Sequence, residues 1–156
     1  MSVFNRDFIG REFGPVGPYE VSREKIRDYA LATGDPHPVY LDPEAARAAG
    51  YPDVIAPPSF PVILFFRFGG WPLYDPEFGK RAKPICVHRA QSVSTVRPIH
   101  PGDLLVMSTK VTDITEVGPH DQFDMTHTID DHEGATVSVV RNCIISRHVP
   151  GLEAVA

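Results

Sequence analysis

The chain has 156 residues, 42% of them apolar and 22% charged, with a formal net charge of −5. That length suits one domain with its own hydrophobic core, needing neither disulfides nor a metal to fold. The acidic balance argues against nucleic acid as a partner, because phosphate binding requires a basic face; the longest apolar stretch, Pro61 to Phe66, is too short to cross a bilayer.

Short strands are expected near Glu12-Phe13 and Tyr19-Val21. Ser22 is a suitable N-cap for a helix running to about Thr33, where Ile26, Tyr29, Ala30 and Thr33 recur at helical spacing and Gly34 ends it. A second helix is expected from Asp42, with Pro43 in its first turn and an Ala-rich interior, up to Gly50. Ser59 is expected to cap a third helix from Phe60 to about Phe68, closed by Gly69-Gly70. That helix is apolar on nearly every side, which marks a buried helix. Residues 71–84 have no clear period and read as a flap. Residues 85–97, 103–117, 121–130 and 135–148 read as strands rich in Val, Ile, Thr and Ser, joined by turns at Pro98–Gly102, Gly118-Pro119 and Asp131–Gly134. Connections this short make neighbouring strands antiparallel. The expected fold class is therefore α+β, a curved antiparallel sheet wrapped around a buried helix, in one domain over 1–150 with a frayed tail at 151–156. Cys86 and Cys143 have no metal-ligand spacing around them and read as reduced core thiols. With no basic start leading into an apolar run, a cytoplasmic location is expected.

The segment Ala32-Thr33-Gly34-Asp35-Pro36-His37-Pro38-Val39-Tyr40-Leu41-Asp42-Pro43 resembles the motif of MaoC-like (R)-specific hydratases and dehydratases, Gly-Asp-x-Asn-Pro-x-His followed by a Leu-Asp-Pro helix start. Arg97-Pro98-Ile99-His100-Pro101-Gly102-Asp103 resembles the Pro-x-x-x-Gly-Asp turn of the same family, and Ala90-Gln91-Ser92-Val93 its central strand. The resemblance implies the hot-dog fold and reversible addition of water to an α,β-unsaturated acyl thioester carried by coenzyme A or an acyl carrier protein. It implies no metal or redox cofactor. In that family an aspartate and a histidine exchange protons with one water, and a backbone N–H at the start of the buried helix polarises the thioester carbonyl.

Carried over, Asp35 matches the family aspartate, His37 stands in place of asparagine, and Tyr40 stands in place of the catalytic histidine. A phenol, with a pKa of about 10, shuttles protons poorly at neutral pH compared with an imidazole at about 6.5. Pro57-Pro58 aligns with the family's His-Gly, and proline has no N–H, so only the amide of Ser59 or Phe60 is left to meet the thioester. Both departures resemble the accessory subunits of two-chain β-hydroxyacyl dehydratases and the FAS1-like N-terminal half of fused ones. Ile9-Gly10-Arg11, Tyr19-Glu20-Val21 and Val54-Ile55-Ala56-Pro57-Pro58-Ser59-Phe60 also look like that branch.

Each candidate has an ordinary reading beside the functional one. Asp35 suits a Gly-Asp-Pro turn, and His37 is either a substitute base or a polar loop residue. Tyr40 is a site-lining hydroxyl or a packing residue. His88 reaches the substrate channel or is a satisfied sheet histidine, and His100 is expected to be solvated. Lys80, Arg81 and Lys83 meet the phosphates of coenzyme A or a phosphopantetheine arm, or form a solvated loop. Phe65, Phe66, Phe68 and Trp71 suit an acyl tunnel or a plain core. The expected role is a dehydratase component acting as a homodimer, or as a heterodimer with a related catalytic chain. The alternatives are an independently active homodimer using Asp35, His37 and the Ser59 amide, and a non-catalytic acyl-binding or scaffold protein.

Overall fold

Alternation of buried and open positions, interrupted once in the first and once in the last, runs through the three longest strands of the chain, the pattern of a sheet with one face against a core. The computed structural model describes residues 4–68, 71–73, 75–79 and 85–147. It places β1 at Glu12–Glu20, α1 at Arg23–Ala32, α2 at Pro38–Leu41, α3 at Pro43–Ala48 and α4 at Val62–Arg67. The second half is β2 at Ile85–Thr95, β3 at Leu104–Val117, β4 at His120–Asp131 and β5 at Thr136–Arg147. The five strands form one antiparallel sheet in the order β1-β3-β4-β5-β2. This is the α+β hot-dog arrangement expected from the sequence.

The concave face carries two apolar clusters. Phe60 and Leu64 pack with Val21, Ile26, Leu105, Met107, Ile129, Val137 and Val140. Phe65, on the next position of α4, packs instead with Phe4, Phe8, Phe78, Val111, Ile114, Phe123, Met125 and Ile144. One short helix thus anchors both halves of the core.

The structure corrects several expectations. The third helix is shorter than expected: residues 58–61 form turns, Pro61 occupies the N-cap position without a side-chain hydrogen bond, and Ser59 caps nothing. Nor is that helix buried all round, for Phe66 is 69% exposed. Three prolines within five residues (Pro57, Pro58, Pro61) leave few N–H donors for a regular first turn. The two short N-terminal strands are one strand, β1, broken by register shifts on either side of Val16. A four-residue helix, α2, fills what reads as loop, because Pro38 supplies a helical first residue and His37 caps it. His100 is half-buried rather than solvated, with Nδ1 shut away from water and unpartnered among the described residues. Neither Cys86 nor Cys143 is in a disulfide, and both are only half-buried. Of the expected flap, Trp71 and Leu73 pack on the second cluster and Phe78 belongs to it, so that part is core. Gly69, Gly70, Lys80, Arg81, Lys83 and the tail lie outside the described residues.

β1 depends on glycine at its closest approach to β3. At Gly14, φ is +107°, and an added Cβ would lie 2.7 Å from the Met107 carbonyl oxygen. Gly14→Ala is expected to cost more than about 2 kcal/mol in urea unfolding. Gly118→Ala is expected to cost only about 1 kcal/mol, because nothing lies within 4 Å of its added Cβ.

Candidate functional site

The Gly34-Asp35-Pro36 corner follows from how α1 ends. Gly34 takes φ +71°, and the Asp35 amide donates back to the Ala30 carbonyl at 2.9 Å, a glycine-terminated helix stop. The chain then re-enters helix at once. His37 Nδ1 accepts from the Val39 N–H at 3.3 Å, and Asp42 caps α3 through the Glu44 N–H at 2.8 Å. The two short helices fix Tyr40, whose ring lies 5.7 Å from that of His37.

Tyr40 faces a cavity of about 260 Å³ whose lining includes Tyr51, Pro57, Pro58, Pro61 and Thr95. It also borders a second cavity of about 220 Å³ lined in part by Arg23, Arg27 and Val54. Burial raises the Tyr40 pKa, and the Asp35 carboxylate and the Tyr51 phenol push it in the same direction. The phenol therefore stays protonated and acts as a donor. Asp35 and His37 are exposed and do not line the larger cavity. With Nδ1 accepting from Val39, the His37 ring carries its hydrogen on Nε2. The constellation offers a hydroxyl donor near a carboxylate.

At the entry to α4, the Phe60 N–H is taken by the Pro57 carbonyl at 2.9 Å, and Phe60 itself is fully buried. Of the two amides considered from sequence, Ser59 keeps its N–H unpaired among the described residues. Tyr29, read from sequence only as a position on the periodic face of α1, fixes this corner: its hydroxyl lies 3.0 Å from the Ser59 carbonyl oxygen and 3.1 Å from Ser59 Oγ. The opposite wall is held by Arg97, whose guanidinium bonds both Asp103 oxygens at 2.9 and 3.1 Å and Asp131 at 3.3 Å.

Sequence reading also missed a polar row across the concave face. Thr109 Oγ1 lies 2.8 Å from His127 Nδ1, and His127 Nε2 lies 2.9 Å from Asn142 Nδ2. Asn142 Oδ1 receives His88 Nε2 at 3.0 Å and Gln91 Nε2 at 2.6 Å. Because an amide NH2 only donates, His127 Nε2 accepts, and its single hydrogen sits on Nδ1 towards Thr109. Burial lowers the His127 pKa to about 4, with the nearby His88 acting in the same direction. The period-2 alternation of β4 put His127 on the inner face; only the pairing register shows that Thr109 and Asn142 meet it there.

The FAS1-like dehydratase-region family model matches residues 7–140. The chain belongs to that family. A UPF0336 protein of Streptomyces avermitilis is 39% identical over 93% of this chain and 96% of its own length. One from Saccharopolyspora erythraea is 41% identical over 92% of this chain and 91% of its own. Among solved structures, a MaoC-like dehydratase superposes with TM-score 0.80 at 28% identity; it covers 88% of this chain, which in turn spans only 42% of that longer one. The HadBC (3R)-hydroxyacyl-ACP dehydratase complex of Mycobacterium tuberculosis shares the fold, with TM-score 0.77 at 22% identity over 90% of this chain and 98% of that one. FAS1-like dehydratase-region membership and these hot-dog neighbours place the chain in a dehydratase family.

The His127 pKa carries a stability consequence. Its folded value is below the unfolded value of 6.5, so the unfolded chain binds a proton first as pH falls. Stability is expected to be full above pH of about 6.5 and to decline towards pH of about 4, by an amount on the order of 3 kcal/mol. Urea unfolding across that window should show the slope in the wild type and a flatter profile in His127→Gln.

Proposed function

We propose that this chain is the acyl-thioester-binding accessory component of a (3R)-hydroxyacyl-thioester dehydratase, with a 3-hydroxyacyl or enoyl group on coenzyme A or an acyl carrier protein as its ligand. The observation that carries the reading is Tyr40. A protonated phenol lines the cavity at the position where the motif calls for an imidazole. The phenol and the Ser59 amide are donors, suited to holding a thioester carbonyl or a hydroxyl, and neither moves a proton readily at neutral pH. The proton shuttle then comes from a companion. The chemistry needs water and proton carriers, with no metal or redox cofactor, and acyl thioesters of this kind are cytoplasmic metabolites.

Pairing is part of the proposal. Among the described residues β2 is an edge strand of eleven residues bonded on one side only, to β5. Ile85 and Val87 are each 42% exposed on it. This long edge carries a single charged residue, Arg89, and one bulge beside it as its protections against strand addition. A second copy or a companion hot-dog chain would cover it. The HadBC and ChsH1-ChsH2 neighbours are complexes of two chains, which supports the same reading.

The purified chain is expected to bind a crotonyl or longer enoyl thioester without hydrating it. Hydration is expected on co-expression with a companion carrying an intact Gly-Asp-x-Asn-Pro-x-His motif, and should survive Asp35→Asn in this chain. Tyr40→Phe is expected to weaken thioester binding by roughly three- to tenfold. Robust hydration by the chain alone, abolished by Asp35→Asn, would instead establish an independently active enzyme.

A further inference from the structure

The larger cavity is short of backbone donors. Four of its lining residues are prolines, which have no N–H to offer. The amides of Tyr40, Ile55 and Ala56 are spent on the carbonyls of His37, Val39 and Ile99, at 3.0, 3.1 and 2.9 Å. The Tyr51 amide is spent as well, on the Ala46 carbonyl at 3.0 Å. The hydroxyls on the same wall are a different case. Those of Tyr40, Tyr51 and Thr95 make no hydrogen bond among the described residues.

Tyr51 is held there by the way α3 ends. Gly50 takes φ +94°. Its N–H donates to the Arg47 carbonyl and that of Tyr51 to Ala46, both at 3.0 Å. This is a Schellman stop, and its two backbone bonds fix the residue after the glycine. Two successive short helices, α2 and α3, therefore each deliver a half-buried phenol to one cavity. The Tyr51 phenol is near enough to act on the pKa of Tyr40, as is the Asp35 carboxylate. A phenol hydroxyl is a neutral donor, and a carboxylate close by disfavours an anion as the group it holds. A neutral carbonyl oxygen has two lone pairs and takes two such donors.

We infer that Tyr51 is a second ligand-binding residue of this cavity, and that the Tyr40 and Tyr51 hydroxyls together grip the carbonyl oxygen of the bound acyl thioester. The inference rests on the proposed acyl-thioester role and names the atom that the site recognises. Donors aimed at a carbonyl oxygen draw electron density out of the thioester, the effect that a backbone N–H has at an oxyanion site. Here prolines have taken amides out of the wall, and hydroxyls at the ends of two side chains stand in for them. The grip also sets specificity. A thioether in place of the thioester offers no oxygen, so both hydroxyls would be covered by the ligand and left without an acceptor. Gly50 is a positioning residue in this scheme, holding Tyr51 rather than touching the ligand.

Two measurements on the purified chain test this. The first is calorimetric binding of butyryl-pantetheine against S-butyl-pantetheine, the thioether that lacks only the carbonyl oxygen. The wild type is expected to prefer the thioester by roughly tenfold, and Tyr51→Phe to cut that preference to roughly threefold. Equal binding of the two ligands by the wild type, or an undiminished preference in Tyr51→Phe, overturns the inference. The second is the infrared carbonyl stretch of bound butyryl-pantetheine carrying 13C at that carbon, a readout that a purely structural role of Tyr51 would not move. The stretch is expected to fall in frequency on binding, with part of the fall lost in Tyr51→Phe and the rest in the Tyr40→Phe, Tyr51→Phe double variant. A fall that Tyr51→Phe leaves whole overturns the role of Tyr51. Binding of neither ligand by the folded wild type overturns the acyl-thioester reading beneath it.

Discussion

Everything in this molecule is arranged around two adjacent side chains of α4. Leu64 and Phe65 point into different apolar clusters on the same concave face, and a sheet can meet both only by curving around the helix. Burial of side chains this size is worth roughly 2 to 3 kcal/mol each, which compensates a helix of six residues with no side-chain cap. The helix is too short to be stable by itself; the sheet makes it, and the helix in turn sets the curvature of the sheet.

That constraint positions the functional residues from two directions. Before α4, Pro57, Pro58 and Pro61 form the floor of the larger cavity, and Tyr29 and Arg97 fix its sides through Ser59 and Asp103. After α1, two very short helices bring Tyr40 to the same cavity while leaving Asp35 and His37 at the surface. The motif has kept its shape and exchanged its imidazole for a phenol.

Between the two clusters runs the row from Thr109 to His88, in which each described contact pairs a donor with an acceptor. A buried polar row is tolerable only when satisfied in this way, and this one stays satisfied only while His127 is neutral. Phe65 lies against His127, with ring centroids 5.1 Å apart, so the helix that holds the core together also keeps water from the imidazole.

The sequence alone determined α1, α3, the four C-terminal strands and the α+β class, because period-2 alternation, capping residues at Ser22 and Asp42, and turn glycines are local signals that survive without tertiary context. It also located the departures from the hydratase motif at Tyr40 and Pro58. Tertiary structure decided the rest. The length of α4 depended on which N–H groups three prolines removed, and the exposure of Phe66 on which side the sheet covers. The polar row depended on strand register, since His88, Asn142, His127 and Thr109 are scattered over four strands and a one-residue slip would turn any of them to the other face. The bulge at Arg89 decided that His88 and Gln91 share a side, and no periodicity in β2 reveals it, because its parity changes at that residue.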